Sequence, residues 1–397
     1  MNESTRGSGA ALTIGLCFMV AVIEGFDIQA MGVAAPKLAP EFGLTPSQLG
    51  WVFAISNIGL VIGASLGGRA ADRFGRKPVF IGSVLAFGSF TLLTAFSGSF
   101  GVLFASRLLA GLGFGAALPN MMAVAAEIST PQRRSITASA MFCGMPLGGG
   151  LSALLTQVLP PDFDWRTIFI VGGILPLVVA VALKLWMSET LVASARSKEA
   201  RVAVGQTLFG DRRAMPTLLL WLTFLPTLVI LYLFLNWLPT LVMANGLDRS
   251  IAPQASLAFN FASVVGALAV GWMVDRYGAR WPLVAAYALL IVVIVALGSA
   301  RHLTPVLLLS GAAGFLLLGA NYALYGVAAS YYPTNMRGTG SGASIAVGRV
   351  GSICGPLLAG ALLGAGATAT HVVQYMAPVA AVACIAVFAL SFFSREN

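Results

Sequence analysis

The sequence predicts an all-α polytopic membrane protein whose twelve transmembrane helices form two pseudo-symmetric six-helix bundles. The first observation is composition: of the 397 residues, 58% are hydrophobic and 9% are charged, against roughly 25% charged in a soluble domain. The second is length, because apolar runs of roughly 20 residues recur along the chain, and each can cross about 30 Å of hydrocarbon as a helix. The third is an internal repeat of two polar loops.

Proline, glycine and charge clusters mark the span boundaries. We expect spans at about 11–35, 47–71, 78–97, 100–127, 134–158, 165–187, 216–243, 252–274, 282–299, 304–329, 337–363 and 371–393. The longest polar interval, residues 188–215, has six predicted spans before it and six after it. We therefore expect an N-terminal bundle over 1–187, a cytoplasmic linker over 188–215 and a C-terminal bundle over 216–397.

The basic residues predict the orientation. With a cytoplasmic N-terminus, the 23 Lys and Arg lie on the cytoplasmic side, except Lys37, Arg166, Arg249 and Arg301 outside and Arg107 and Arg349 within spans. This distribution follows the positive-inside rule, so we expect a multi-pass protein of the cell inner membrane with both termini cytoplasmic. The formal charge of +9 is divided among short clusters between spans, which argues against a nucleic-acid partner.

The chain has few residues that could form a metal site, a disulfide or a histidine-based catalytic site. The four cysteines (Cys17, Cys143, Cys354 and Cys384) fall within predicted spans and have no metal-site or disulfide spacing. The two histidines, His302 and His371, lie near predicted helix ends. A nucleophile with a base, as an enzyme needs, and a soluble sensor domain are both missing from the pattern. We expect neither an enzyme nor a cofactor-binding protein.

The internal repeat joins two loops. Residues 68–77, GRAADRFGRK, follow span 2, and residues 271–280, GWMVDRYGAR, follow span 8. Gly68 and Gly271 stand 203 positions apart, and the same offset relates Arg134 to Arg337 at the starts of spans 5 and 11. Two landmarks on one offset predict duplicated halves.

The loop pattern predicts a latch between helices. Glycines let helix ends approach, an aspartate can face a helix dipole or an arginine, and basic residues anchor at the headgroups. Anchoring by the basic residues alone would leave the fixed Asp and Gly positions unexplained. The structural or gating candidates are Gly68, Asp72, Arg73, Gly75, Arg76, Asp275, Arg276 and Arg337.

These loops, the stretch RLLAGLGFG at 107–115 and the twelve spans with a middle linker resemble the major facilitator superfamily over essentially the whole chain. The resemblance implies two bundles that rock about a central site. Glu127 and Arg134 are similar to a cytoplasmic charge network of the superfamily. The resemblance implies this network for the first half only, because Ser330 stands where the repeat would place the acid.

Within the superfamily, three stretches resemble the aromatic acid:proton symporters: EGFDIQAMGVAAPKLAPEFGL at 24–44, GWVFAISNIGLVIGASLGGRAADRFGRK at 50–77, and NWLPTLV at 236–242. That family typically has Asp-Gly-Phe-Asp in span 1, whereas this chain has Glu24 at the first acid. The resemblance implies a monomer in the lipid bilayer that imports an aromatic carboxylate of the hydroxyphenylpropionate type, with a proton as the coupling ion.

Four charged residues lie deep within the predicted spans, away from the span ends: Glu24, Asp27, Arg107 and Arg349. Each costs at least about 3 kcal/mol at mid-bilayer unless it is paired or faces water. Glu24 and Asp27 are three residues apart and share a helix face, and two carboxylates held away from bulk water favour a proton carrier. The alternative is static pairing of both acids with the two arginines, and the two roles can coexist.

Arg349 is the predicted anchor of the substrate carboxylate, because a planar guanidinium fork suits a carboxylate. The alternative for Arg349 is a pair with Asp27 without substrate contact, and Arg107 has a structural, proton-coupling or substrate role. Other candidates for the cavity wall are Phe26, Gln29, Asn57, Asn120, Tyr232, Asn236, Trp237, Asn321 and Tyr325. Most such residues in a helical bundle instead join helices to one another.

Two rival transport functions stay open. The glycine-rich stretch CGMPLGGG at 143–150 faintly resembles an antiporter signature, which would indicate a proton-driven exporter of small hydrophobic compounds. A proton-coupled transporter of another organic anion is the second rival. The acids of span 1 and Arg349 favour an anionic cargo.

Overall fold

Every secondary-structure element in the part of the chain that the structure describes is an α-helix. This computed structural model describes residues 3–129, 134–160, 162–187, 203–247, 251–334 and 336–393. Helices are expected of apolar runs in lipid, because a helix satisfies its own backbone hydrogen bonds. Contacts divide the chain into two units, Met1–Ser197 and Lys198–Asn397.

The first unit holds six helices: α1 (Glu3–Glu41), α2 (Pro46–Phe74), α3 (Arg76–Ala95), α4 (Phe100–Ile128), α5 (Arg134–Val158) and α6 (Arg166–Trp186). The second holds α7 (Val204–Phe209), α8 (Ala214–Ala244), α9 (Ile251–Tyr277), α10 (Arg280–Ser299), α11 (Leu303–Ala329), α12 (Arg337–Gly364), α13 (Ala369–Gln374) and α14 (Met376–Leu390). Within the described ranges, twelve helical segments are long and apolar enough to cross a membrane, and α13 with α14 forms the last. The predicted fold class is confirmed.

Two boundaries differ from the prediction. Helix α1 continues to Glu41 through Pro36 and Pro40. Of the predicted linker, the structure describes residues 203–215, and this part contains helix α7 and the start of α8. Leu208 of α7 is buried, and its carbonyl accepts a 2.8 Å hydrogen bond from the Thr217 hydroxyl of α8. This short helix lies in a polar stretch of the sequence and was therefore not predicted. It packs on α8 of the second unit.

Helix pairs in the two units make matching close contacts. In the first unit, a Cβ added to Gly63 of α2 would lie 2.1 Å from the carbonyl oxygen of Leu112 in α4. In the second, a Cβ on Gly266 of α9 would lie 2.1 Å from the carbonyl oxygen of Phe315 in α11. Both residues of the first contact map onto the second at an offset of 203 positions. The repeat therefore extends from the loops to the packing of the helices.

Glycines in and beside the loop motifs have two separate physical functions. Gly75 and Gly278 have φ angles of 91° and 80° at the tight turns after α2 and α9, a conformation that disfavours residues with a Cβ. Gly67 brings α2 against α4, because an added Cβ would lie 2.5 Å from Cα of Ala116. A Cβ on the predicted Gly68 would meet no atom within 4 Å. The close approach between helices is therefore made by Gly67.

Candidate functional site

The first unit contains a buried ion pair between two of the predicted residues. Arg107 of α4 donates from Nη1 to Oδ1 of Asp27 over 3.0 Å and from Nη2 to Oδ2 over 2.7 Å. The exposed fractions are 2% for Arg107 and 6% for Asp27. This two-pronged geometry is the strong form of an arginine–carboxylate bond. Asp27 is therefore paired inside its own unit, with Arg107 as the partner.

Three further helices complete the surroundings of this pair. Thr91 of α3 donates to Oδ1 of Asp27 over 3.0 Å, and Nε of Arg107 donates to the Ser56 hydroxyl of α2 over 3.2 Å. The Arg107 guanidinium carbon lies 5.6 Å from the ring centroid of Phe169 in α6. Sequence reasoning missed these three partners. Their only signal was a hydroxyl or an aromatic ring within an apolar span, which is common in helical bundles.

Glycines set the position of α1 beside α5. A Cβ on Gly25 would lie 1.7 Å from the carbonyl oxygen of Met145, and a Cβ on Gly148 would lie 1.7 Å from that of Val22. Glu24, next to Gly25, is 1% exposed. Gly148 of the glycine-rich stretch thus has a packing function against the helix that bears both acids.

The other first-unit candidates are buried and mostly bonded to their own helices. The side-chain amide of Asn57 donates to the carbonyl of Phe53 over 3.2 Å, and that of Asn120 donates to the carbonyl of Ala116 over 2.8 Å. The Phe26 ring lies against Gly172 of α6, where an added Cβ would be 3.1 Å from Cε1. Gln29 is 1% exposed, and neither polar atom of its amide has a hydrogen-bond partner among the described residues.

The second unit positions Arg349 on α12 beside α8. Nη1 of Arg349 donates to the Tyr232 hydroxyl over 2.9 Å, and the Arg349 side chain is half-buried. Gly348 permits this approach, since an added Cβ would lie 2.4 Å from a methyl carbon of Leu228. The sequence predicted both Arg349 and Tyr232 as substrate residues, and the structure brings them together.

The remaining second-unit candidates divide into two groups. Tyr325 is half-buried, with ring centroids 5.7 Å from Phe224 and 6.3 Å from Tyr322, so α8 and α11 share an aromatic cluster. Three others are at least 97% buried. Of these, Trp237 donates from its indole to the carbonyl of Pro356 over 3.1 Å, Asn236 donates to the carbonyl of Tyr232 over 2.7 Å, and Oδ1 of Asn321 has no hydrogen-bond partner in the described ranges.

The loop-motif residues lie at helix ends. Arg76 forms an ion pair with Glu127, and Nε of Arg337 donates to the carbonyl of Tyr332 over 3.2 Å. The Arg73 guanidinium lies 5.2 Å from the Phe74 ring, and that of Arg276 lies 5.7 Å from the Trp272 ring. Asp72 and Asp275 are exposed, and the Arg134 side chain lies outside the described residues. Over the described ranges, His, Cys, Asp and Glu form no cluster of three able to hold a metal ion.

Comparison with known proteins decides the family. The model of the Major Facilitator Superfamily matches residues 17–342 and 246–397. The chain belongs to this superfamily. The bacterial homolog of the human lysosomal transporter Spinster, solved in an inward-facing and unoccupied conformation, aligns with a TM-score of 0.82 at 15% identity over 97% of each chain. That likeness confirms the major facilitator fold.

Two relatives of this superfamily member are transporters of aromatic acids. The 3-(3-hydroxy-phenyl)propionate transporter of Escherichia coli is 39% identical over 98% of this chain and 95% of the relative. The 4-hydroxybenzoate transporter of Pseudomonas putida is 34% identical over 96% and 92%. The predicted resemblance is confirmed. The protein is a multi-pass membrane transporter and not an enzyme.

Proposed function

We propose that the protein imports an aromatic carboxylate of the 3-(3-hydroxyphenyl)propionate type by proton symport with alternating access. Relatives that carry aromatic acids support the class of cargo. The cargo is an anion at neutral pH, and an inside-negative potential opposes its entry by about 2.3 kcal/mol per charge per 100 mV. A proton that moves with the anion cancels this term.

The buried Asp27–Arg107 pair carries the proposal for proton coupling. A proton on Asp27 removes the negative charge that both hydrogen bonds from Arg107 point to, and the other described contacts of Arg107, the Ser56 hydroxyl and the Phe169 ring, supply no charge in its place. Proton binding is thus linked to a rearrangement of buried charge between α1 and α4. Glu24, three residues earlier on α1, is the second carboxylate of the proposed site.

Arg349 carries the proposal for the substrate carboxylate. Its guanidinium lies within a span beside the Tyr232 phenol, and both groups can donate hydrogen bonds to a carboxylate. The aromatic cluster of Tyr325, Tyr322 and Phe224 belongs to the same unit and offers ring faces to an aromatic cargo. In this proposal the first unit supplies the proton site and the second supplies the anion site.

The distribution of basic residues supports a position in the inner membrane with both termini in the cytoplasm. We assign the rocking halves to residues 1–187 and 216–397, with 188–215 as their connection, and the protein is expected to work as a monomer. The Arg76–Glu127 ion pair joins the ends of α3 and α4 at the proposed cytoplasmic face.

The test is uptake of labelled 3-(3-hydroxyphenyl)propionate into proteoliposomes. Asp27→Asn should lose uptake driven by an acidic exterior while it retains exchange of labelled for unlabelled substrate at equal pH. Asp164→Asn is the matched control, because this exposed carboxylate lies at the start of α6 and bonds to Arg166. Undiminished proton-driven uptake by Asp27→Asn would remove Asp27 from the mechanism, and outward movement only would favour an exporter.

A further inference from the structure

The second unit has a cavity at one membrane boundary, away from the residues proposed for transport. It measures about 420 Å³ and lies among the ends of α10, α11 and α14, lined by Gly278, Arg280, Leu283, Tyr331, Leu390 and Ser391. Arg280 begins the tenth helix's span, and Leu390 ends the last span. The cavity therefore lies where the hydrocarbon core meets the headgroups.

Arg280 is held beside this cavity by aromatic rings. Its guanidinium carbon lies 4.8 Å from the ring centroid of Trp281, 4.9 Å from that of Phe388 and 4.7 Å from that of Phe392. The Nε atom is buried and has no hydrogen-bond partner among the described residues. The rings fix the orientation of the cation, and its Nε donor has no acceptor among the described residues.

In the first unit, the basic residue equivalent to Arg280 donates a hydrogen bond to a backbone carbonyl. Lys77 stands 203 positions before Arg280, and its Nζ donates over 2.5 Å to the carbonyl of Met187 at the end of α6. The carbonyl equivalent to that of Met187 belongs to Leu390, and here it accepts a 3.1 Å bond from the Tyr331 hydroxyl. In the second unit a tyrosine thus donates to the equivalent carbonyl, and Arg280 lies against aromatic rings instead.

The surface next to Arg280 is suited to acyl chains. Along α10 the exposed apolar side chains Trp281, Leu289 and Val292 follow one helical face, and along α14 Ile385 and Phe388 do the same. Both faces run from the cavity towards the middle of the membrane. A ligand with a negatively charged head in the cavity and hydrocarbon along these faces fits the arrangement.

We infer that this cavity binds the phosphodiester headgroup of an anionic phospholipid, with Arg280 as the phosphate ligand. A guanidinium pairs well with phosphate oxygens, and Arg280 is the charged side chain among the residues that line the cavity. The start of α10, whose first backbone N–H groups have no partner within the helix, adds positive potential to the same cavity. The bound lipid ties α10 to α14.

Native mass spectrometry of the detergent-purified full-length protein, titrated with phosphatidylglycerol or phosphatidylcholine, tests this inference. Wild type should retain phosphatidylglycerol in preference to phosphatidylcholine. Arg280→Gln should weaken phosphatidylglycerol binding on the order of tenfold, as expected for loss of a hydrogen bond to a charged group. Arg280→Lys keeps the positive charge but lacks the planar guanidinium, so its affinity for phosphatidylglycerol should lie between those of wild type and Arg280→Gln.

Arg276→Gln is the matched control, because it removes the same charge at the same membrane boundary but not from the cavity. Its phosphatidylglycerol affinity should stay within about twofold of wild type. Equal losses in Arg276→Gln and Arg280→Gln, or no loss in Arg280→Gln, would overturn the site. Displacement of the lipid by millimolar inorganic phosphate would overturn its assignment to a lipid, and equal retention of phosphatidylcholine would overturn the requirement for an anionic headgroup.

Discussion

Replacement of Arg107 by methionine tests how strongly the buried pair stabilises the first unit. Arg107→Met removes the donors at 3.0 and 2.7 Å from Asp27 and leaves that carboxylate with the 3.0 Å bond from Thr91. Because loss of one member of a buried pair leaves an uncompensated charge, we expect the free energy of unfolding to fall by about 3–5 kcal/mol. Asp27→Leu should destabilise the protein for the same reason.

The double variant Asp27→Leu/Arg107→Met separates pairing from packing. Replacement of a whole buried pair by apolar side chains is often neutral, so the double variant should be more stable than either single one, with a coupling energy of about 3 kcal/mol. The assay is reversible unfolding in mixed micelles, followed by circular dichroism for all four proteins. Additive losses, with a coupling energy below about 0.5 kcal/mol, would refute the pairing derived from the structure.

Two further substitutions probe the contacts that position the sites. Gly25→Ala places a methyl group 1.7 Å from the Met145 carbonyl oxygen, so we expect the free energy of unfolding to fall by about 1–3 kcal/mol. The methyl group of Gly15→Ala, on the same helix, meets nothing within 4 Å, so this variant should be neutral or more stable by up to about 1 kcal/mol, because alanine favours a helix over glycine. Equal losses in both variants would contradict the close contact at Gly25. Tyr232→Phe removes the hydroxyl bonded to Arg349, so the KM for uptake should rise about tenfold and the free energy of unfolding should fall by no more than about 3 kcal/mol; an unaltered KM would separate Tyr232 from substrate binding.

Hydropathy and the internal repeat predicted the fold because both are properties of continuous segments. A run of apolar residues determines where a span lies, and a fixed offset relates two loops however the helices pack. The same offset also relates the contacts of Gly63 and Gly266, which no single span could have indicated. Helix α7 escaped prediction because its six residues are too few to show a period and lie in a polar interval.

The partner of Asp27 could not be chosen from the sequence. Spacing along one helix shows that Glu24 and Asp27 share a face, but it gives neither the rotation nor the depth of the helix that carries an arginine. Arg107 and Arg349 were therefore equivalent alternatives. Thr91 and Ser56 had still less signal, because hydroxyl side chains in helices commonly bond the carbonyl of the preceding turn.

The offset of 203 positions also shows which features of the first unit were not duplicated. It places Ile230 where Asp27 stands and Ser310 where Arg107 stands, although the second unit repeats the glycine contacts between helices. Both halves need close helix packing to fold, so that feature occurs twice. A buried charge costs free energy in each place that it occurs. Because the described residues of the second unit hold no counterpart of this buried pair, its presence in the first unit supports the proposed role of Asp27 and Arg107 in the transport cycle.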